Sequence, residues 1–219
     1  MSEQIILILE AIGTIAFSIT GVLVAVEARL DIFGTCVIGM ITAIGGGMIR
    51  DVMLGNTPPL IFNNPFILLL SLLVCVTVFT ALYFKKSLFK HKKKIEEFNN
   101  LFDAIGLAVF SIMGVETAIN SGCGNNPAVV IISGMLTGIG GGILRDVLTK
   151  NIPFVLRKHV YAVASLAGIL VFYYVRAIID NLAITSVIGA LIIIAIRILA
   201  TMFKWNLPTV NIENDGKNK

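Results

Sequence analysis

Seven long apolar segments alternate with short polar segments along the chain. They cover roughly residues 5–26, 34–54, 65–84, 101–120, 127–149, 160–179 and 183–203. Each is close to the ~20 apolar residues that a helix needs to cross the hydrocarbon core of a bilayer. The pattern therefore predicts an all-α membrane protein with seven transmembrane helices and a polar tail over residues 204–219.

Composition supports this prediction and excludes a soluble protein. Of the 219 residues, 57% are hydrophobic and only 14% are charged, which is far more apolar than a soluble domain of this length. The first apolar segment begins at Ile5 without a basic leader or a small-residue cleavage site. We therefore expect it to stay in the protein as a span and not to act as a signal peptide.

The basic residues define an orientation for the bundle. Six lysines fall within residues 85–94, between the third and fourth spans, and the positive-inside rule places the basic loop 85–100 in the cytoplasm. Seven spans then leave the N-terminus outside and the C-terminus in the cytoplasm. Because this topology accounts for the net charge of +4, we predict no nucleic-acid partner.

The chain contains an internal repeat. Residues 39–58 and 134–153 align without a gap at an offset of 95, and twelve of the twenty positions are identical. Each copy holds three glycines followed by an Arg-Asp pair: Gly45, Gly46, Gly47, Arg50 and Asp51, and then Gly140, Gly141, Gly142, Arg145 and Asp146. The repeat also includes the first helix of each half, where segments starting at Glu10 and Asp103 match at an offset of 93.

The repeat predicts an inverted fold. Repeat 1 covers residues 5–84 and repeat 2 covers residues 101–179, with a seventh helix over 183–203. Because each repeat holds three spans, an odd number, the second copy enters the membrane from the opposite side. The change of offset from 93 to 95 predicts a two-residue insertion in the turn from Gly122 to Pro127.

The glycine triplets are the candidate substrate or ion pathway. Three glycines in the middle of a span each cost a helix about 1 kcal/mol relative to alanine. We expect them to break the second and fifth helices and to free backbone groups that suit a small zwitterion or a bare cation. The alternative is that these small residues allow close helix crossing.

Charged residues flank the predicted breaks from opposite faces. Arg50, Asp51 and Glu10 form one expected cluster, and the inverted copies Arg145, Asp146 and Asp103 form the other. We interpret the clusters as two gates around one site, since charges inside a membrane face a cavity or pair with each other. The alternatives are that the pairs only lock helices together and that Asp103 caps a helix.

Two aromatic and two hydroxyl side chains also repeat near the acidic residues. Phe17 and Ser18 in the first half correspond to Phe110 and Ser111 in the second, and we include all four in the predicted pathway. A serine hydroxyl can bind a carboxylate or an amine. It can also bond to the backbone of its own helix, which is the alternative for both serines.

Nothing in the sequence indicates an enzyme. No catalytic residue, metal site or cofactor is predicted, because the chain has no triad grouping, no metal-ligand spacing and no phosphate-binding glycine loop. Its three cysteines show no disulfide spacing.

The doubled GGGxxRD motif, with the F-S-I-x-G and D-A-I-G segments, resembles the bacterial glycine transporter domain family. More distantly, the chain resembles the trimeric intracellular cation channels. The resemblance implies a bacterial plasma-membrane protein with seven helices, homotrimers, a pathway through each protomer and kinks at both triplets. It implies a small amino acid or a monovalent cation as the permeant, with membrane lipid as a further partner.

Three hypotheses follow. The first is a permease for a small amino acid, glycine first, in which the Arg-Asp clusters alternate as gates. The second is a potassium-type monovalent cation channel. The third is a membrane scaffold or partner subunit that transports nothing.

Overall fold

Seven helices of membrane length make up most of the structure. The computed structural model describes residues 2–85, 92–157, 160–179 and 181–205. The spans are α1 Ser2–Glu27, α2 Ile32–Leu54, α3 Pro65–Phe84, α4 Lys92–Ala118, α5 Pro127–Leu148, α7 Tyr161–Ile178 and α8 Leu182–Met202, with a short helix α6 Phe154–Arg157 before α7. Each of the seven is long and apolar enough to cross a membrane, which confirms the predicted spans.

The fourth span differs from its prediction at its start. Helix α4 begins at Lys92, so residues 92–100 of the predicted basic loop are helical. Lysine and glutamate are good helix formers, and the helix continues beyond the apolar segment for that reason. The rest of the lysine cluster, residues 86–91, and the tail 206–219 lie outside the described residues. The orientation of the termini stays a prediction.

Local sequence signals set the helix ends. Asp31 caps α2 by accepting a hydrogen bond from the backbone N–H of Gly34 at 2.7 Å. Asn126 caps α5 and Asn181 caps α8 in the same way, and Pro65 and Pro127 occupy first helical positions. Asp31, Asn126 and Asn181 each start a span within a few residues of the end of the preceding helix, as a polytopic bundle requires.

The turns show the repeat in the backbone. Gly55 after α2 and Lys150 after α5, 95 residues apart, both adopt left-handed φ angles, of 79° and 59°. Arg29 and Gly122, 93 residues apart, are likewise both left-handed, whereas the caps Asp31 and Asn126 are 95 residues apart. The predicted two-residue insertion is thus confirmed, and it lies between Gly122 and Asn126.

The helices pack as two related halves. Helices α1, α2, α4 and α5 contact one another at the centre, α3 packs against α1 and α2, and α7 packs against α4 and α5. The seventh span, α8, packs against α4 and α7 and has no counterpart in the first half. The central four helices therefore hold the candidate site. Because α8 packs against helices of the second repeat, the two halves of the site have different surroundings.

Candidate functional site

The glycine triplets lie inside continuous helices, so the predicted breaks are wrong, whereas the kinks implied by the resemblance stay a prediction. Helix α2 runs from Ile32 to Leu54 and α5 from Pro127 to Leu148 without interruption. The triplets mark the place where the two helices cross. A Cβ atom on Gly46 would collide with the carbonyl oxygen of Thr137, and one on Gly141 would collide with the carbonyl oxygen of Thr42. The absence of side chains here lets the backbones of α2 and α5 approach closely, so the glycines serve helix crossing, which was the alternative to a helix break.

The third glycine of each triplet has a different neighbour. A Cβ on Gly47 would lie 3.6 Å from the Arg50 guanidinium, and one on Gly142 would lie 3.7 Å from that of Arg145. These are ordinary van der Waals distances. The middle glycine therefore sets the helix crossing, and the third faces the charged side chain one helical turn later.

The first charge cluster consists of Glu10, Arg50 and Asp51. Arg50 donates hydrogen bonds from Nε and Nη2 to the same Asp51 oxygen, at 2.9 and 2.7 Å. Both residues are buried, whereas Glu10 on α1 is only half-buried and lies near Arg50 and Asn64. The cluster predicted from the sequence is thus brought together, with Glu10 as its most accessible member.

The second charge cluster consists of Asp103, Arg145, Asp146 and Arg197. Arg145 donates to Asp146 at 2.8 Å, and its Nη1 donates to Thr20 at 3.1 Å and to Asp103 at 3.3 Å. Arg197, from α8, lies 3.9 Å from Asp103 and stacks over the ring of Tyr161 at 4.6 Å from its centroid. This cluster is more fully paired than the first because α8 adds a second guanidinium.

Both Arg-Asp aspartates also hold the chain that follows their helix. The second carboxylate oxygen of Asp51 accepts from the backbone N–H of Leu60 at 2.9 Å, and that of Asp146 accepts from Phe154 at 2.7 Å. Each aspartate therefore fixes the turn after its helix in addition to pairing with its arginine. Both Arg-Asp ion pairs are present together in this structure.

The clusters lie toward opposite ends of the bundle, as inversion requires. On α1, Glu10 lines the cavity of the first cluster and Thr20 binds Arg145 of the second. These positions are ten residues apart, or about 15 Å along a helix. On α4 the order is reversed, because Asp103 contacts the second cluster and Thr117 lines the cavity of the first.

A cavity opens beside each cluster. The first vestibule, about 250 Å³, lies between α1, α2 and α4 and is lined by Glu10, Gly47, Arg50, Asp51 and Phe110 among others. The second vestibule, about 590 Å³, lies between α1, α4 and α5 and is lined by Glu27, Glu96, Arg145 and Asp146. In both, carboxylates outnumber guanidinium groups.

Two phenylalanines lie, along their helices, between the residues of the two clusters. Phe17 of α1 and Phe110 of α4 have ring centroids 5.3 Å apart at an interplanar angle of 42°. Phe110 reaches the first vestibule, and Phe17 is 1% exposed and lies within one turn of Thr20, which binds Arg145. The predicted aromatic pair therefore sits on the line between the two clusters.

The two predicted serines hold helices together. Ser18 lies 2.9 Å from Ser71 of α3, and Ser111 lies 2.8 Å from Ser165 of α7, each through its hydroxyl oxygen. All four serines are fully buried. Each pair joins the first and third helices of one repeat, and no substrate contact is required to explain the hydroxyls.

Several residues at the site escaped the sequence analysis. Ser71 and Ser165, 94 residues apart, carried a usable signal, since both repeat in the third span of each half. Arg197 carried none, because it lies outside both repeats as a single arginine in an apolar span.

Each half of the chain matches the same family of known proteins. A family model described as "Glycine transporter" matches residues 7–83 and again residues 100–177. The inner membrane protein YadS of Escherichia coli strain K12 is 35% identical over 212 residues, which covers 95% of this chain and 98% of YadS.

Solved structures match over nearly the whole bundle. A prokaryotic TRIC channel crystallised in 0.5 M KCl has a TM-score of 0.84 and 36% identity, covering 94% of this chain and 100% of that one. The trimeric intracellular cation channel orthologue from Rhodobacter sphaeroides has a TM-score of 0.81 and 31% identity, covering 91% and 98%. Both likenesses predicted from the doubled motif are confirmed.

Proposed function

Because the chain belongs to the glycine transporter family of membrane transport proteins, we propose that it moves a small amino acid, glycine first, across the bacterial inner membrane. The pathway runs from the first vestibule, past Phe17 and Phe110, to the second vestibule. It lies between α1, α2, α4 and α5 and does not depend on broken helices. Glycine passes through each protomer separately.

The observation that carries this proposal is the pairing of opposite charges at each vestibule. A zwitterion needs a cation for its carboxylate and an anion for its ammonium group. Arg50 and Glu10 offer these in the first vestibule, and Arg145 and Asp146 offer them in the second. At about 250 Å³, the first vestibule has room for a solute of the size of glycine together with several water molecules.

The structure represents a closed state in this proposal. Both Arg-Asp pairs are formed, and the Phe17–Phe110 pair lies between the vestibules. Passage then requires the two rings to separate. The two charge clusters act as gates by exchanging their internal partners for the carboxylate and the ammonium group of the solute.

The test is uptake of labelled glycine into proteoliposomes that contain the purified full-length protein. We expect saturable uptake above that of protein-free liposomes, and we expect Glu10→Gln to lower it. Glu97→Gln, which changes an exposed carboxylate on α4, serves as the matched control and should leave uptake unchanged. Equal uptake with and without protein would rule out glycine transport.

A second candidate is a monovalent cation channel, and the excess of carboxylates in both vestibules favours it. Clusters of acidic side chains attract cations and repel anions. The likeness to TRIC channels over 94% of the chain supports the same candidate. Potassium currents in a planar bilayer that persist without glycine would favour the channel, whereas glycine flux without such currents would favour the permease.

We also propose that the protein assembles as a homotrimer, since the Rhodobacter sphaeroides relative is named a trimeric channel. Light scattering of the detergent-solubilised protein, corrected for bound detergent, measures the mass of the assembly. A mass of one protomer would contradict the trimer.

A further inference from the structure

A third cavity lies beside the first vestibule and outside the proposed pathway. It has a volume of about 420 Å³ and lies between the start of α1, the end of α4 and the start of α8. Its walls are mainly apolar and include Ile6, Leu9 and Leu182, whereas Glu116 and Ser186 are among its polar residues. This volume falls within the usual range of small-molecule sites.

The repeat shows that the fold itself does not need a charge at this position. Glu116 of α4 pairs with Arg176 of α7, with 3.8 Å between Oε2 and Nε. The corresponding residues of the first repeat, at offsets of 93 and 94, are Leu23 and Leu82. Leu23 is buried, and Leu82 packs against a core cluster. The same two helices therefore pack well with leucines, while a buried carboxylate costs desolvation energy.

Two buried polar atoms at this cavity are unsatisfied. Glu116 is 8% exposed, and its Oε2 accepts no hydrogen bond from the described residues. Ser186 is 2% exposed, and its hydroxyl has no partner within the same part of the chain. A buried polar atom without a hydrogen bond costs about 1–3 kcal/mol. The ion pair with Arg176 offsets this cost for Glu116, and nothing among the described residues offsets it for Ser186.

We propose that this cavity binds an organic ammonium compound with an apolar body. The ammonium group donates hydrogen bonds to Glu116 and Ser186, and the apolar body packs against Ile6, Leu9 and Leu182. No arginine or lysine lines the cavity among the described residues, and Arg176 lies behind Glu116, with its Nε 3.8 Å from Oε2, so a carboxylate in the cavity would meet Glu116 before any cation. The site therefore selects an amine over an amino acid, and its ligand differs in class from glycine.

The position of the cavity separates its ligand from the transported solute. The cavity shares Ile6, Leu60, Met113 and Thr117 with the first vestibule, but not Arg50 or Asp51. A bound amine sits next to the pathway and not within it. Binding can therefore be measured without any assumption about what the protein transports.

The test is calorimetric titration of the full-length protein in detergent with n-butylammonium chloride, using n-butanol and glycine as matched controls. We expect saturable binding of butylammonium that neither control reproduces. Glu116→Gln should weaken the affinity at least about tenfold, since it removes a charge-assisted hydrogen bond. Glu97→Gln, which alters an exposed carboxylate on the same helix, should keep the wild-type affinity.

A second variant tests the cavity separately from the carboxylate. Ser186→Leu keeps the carboxylate but fills the cavity, and it should also abolish binding. Butylammonium binding no tighter than that of butanol would overturn the proposal, as would wild-type affinity in Glu116→Gln. A changed oligomeric mass in Glu116→Gln without amine binding to the wild type would also overturn it, because the cavity would then be a contact between copies.

Discussion

Phe17 and Phe110 each occupy the space left by a glycine of the other repeat. A Cβ on Gly13 would lie 2.9 Å from the ring of Phe110, and a Cβ on Gly106 would collide with the ring of Phe17. Gly13 and Gly106 are themselves related by the repeat offset of 93. The aromatic contact between the vestibules is therefore a symmetric interlock of α1 and α4.

Phe110→Ala should increase flux of the permeant through the protein severalfold. The substitution removes the ring that faces the first vestibule and its contact with Phe17. The measurement is the initial rate of labelled glycine and of rubidium entry into proteoliposomes.

The matched control is Phe172→Ala, which deletes a fully buried ring on α7 of the same repeat, away from both vestibules. Each Phe→Ala change costs about 3–5 kcal/mol of folding stability, so both proteins need comparison at a temperature where they stay folded. An equal rise of flux in both variants would mean general leakiness and would contradict a barrier at Phe110.

Gly46→Ala and Gly47→Ala should differ sharply in stability. The added methyl group of Gly46→Ala meets the backbone of α5, which cannot move aside without separating the two helices. We expect a loss of about 1–3 kcal/mol, as for other overpacked contacts. The added methyl group of Gly47→Ala would lie 3.6 Å from the Arg50 guanidinium, an ordinary contact distance, and alanine is a better helix former than glycine, so this variant should be neutral or stabilising.

Thermal unfolding of the two variants in the same detergent measures this difference. The single variants Gly141→Ala and Gly142→Ala provide the same comparison on α5. If the middle and third glycines behaved alike, the crossing would not be what the triplets provide.

Sequence alone predicted the number of spans, the inverted repeat and the place of the insertion, because hydrophobic runs and a doubled motif carry that information locally. The triplets show the limit of such reasoning. Glycine lowers helix propensity, and it also permits close backbone approach. Only the position of α5 against α2, a long-range property, decides between a break and a crossing.

The charged residues show the same limit. The sequence identified both Arg-Asp pairs because they repeat, and it placed Glu10 and Asp103 near them. It missed Arg197, which has no repeat partner and joins the second cluster only because α8 packs against α4 and α7. Contacts that break the internal symmetry were therefore invisible to an argument based on that symmetry.

Asp103 and Arg145 should show strong energetic coupling. Arg145→Leu leaves Asp103 and Asp146 buried without their main cation, and removal of one partner of such a pair costs about 3–5 kcal/mol. Asp103→Asn in the same chain removes part of that excess negative charge. We expect the double variant to lose less unfolding free energy than the two single variants lose in total, as measured by chemical unfolding in detergent. Simple additivity would show that the two groups do not interact.

Ser18→Ala should reduce stability without a specific loss of transport. Its hydroxyl pairs with that of Ser71 between α1 and α3, and both residues are fully buried. Removal of one hydroxyl leaves the other unsatisfied, at a cost of about 1–3 kcal/mol, whereas Ser18→Ala with Ser71→Ala should cost less than twice that amount. The KM for glycine uptake should stay at its wild-type value in each variant that folds. A raised KM in Ser18→Ala, with no change in Ser71→Ala, would show instead that the Ser18 hydroxyl contacts the solute during passage.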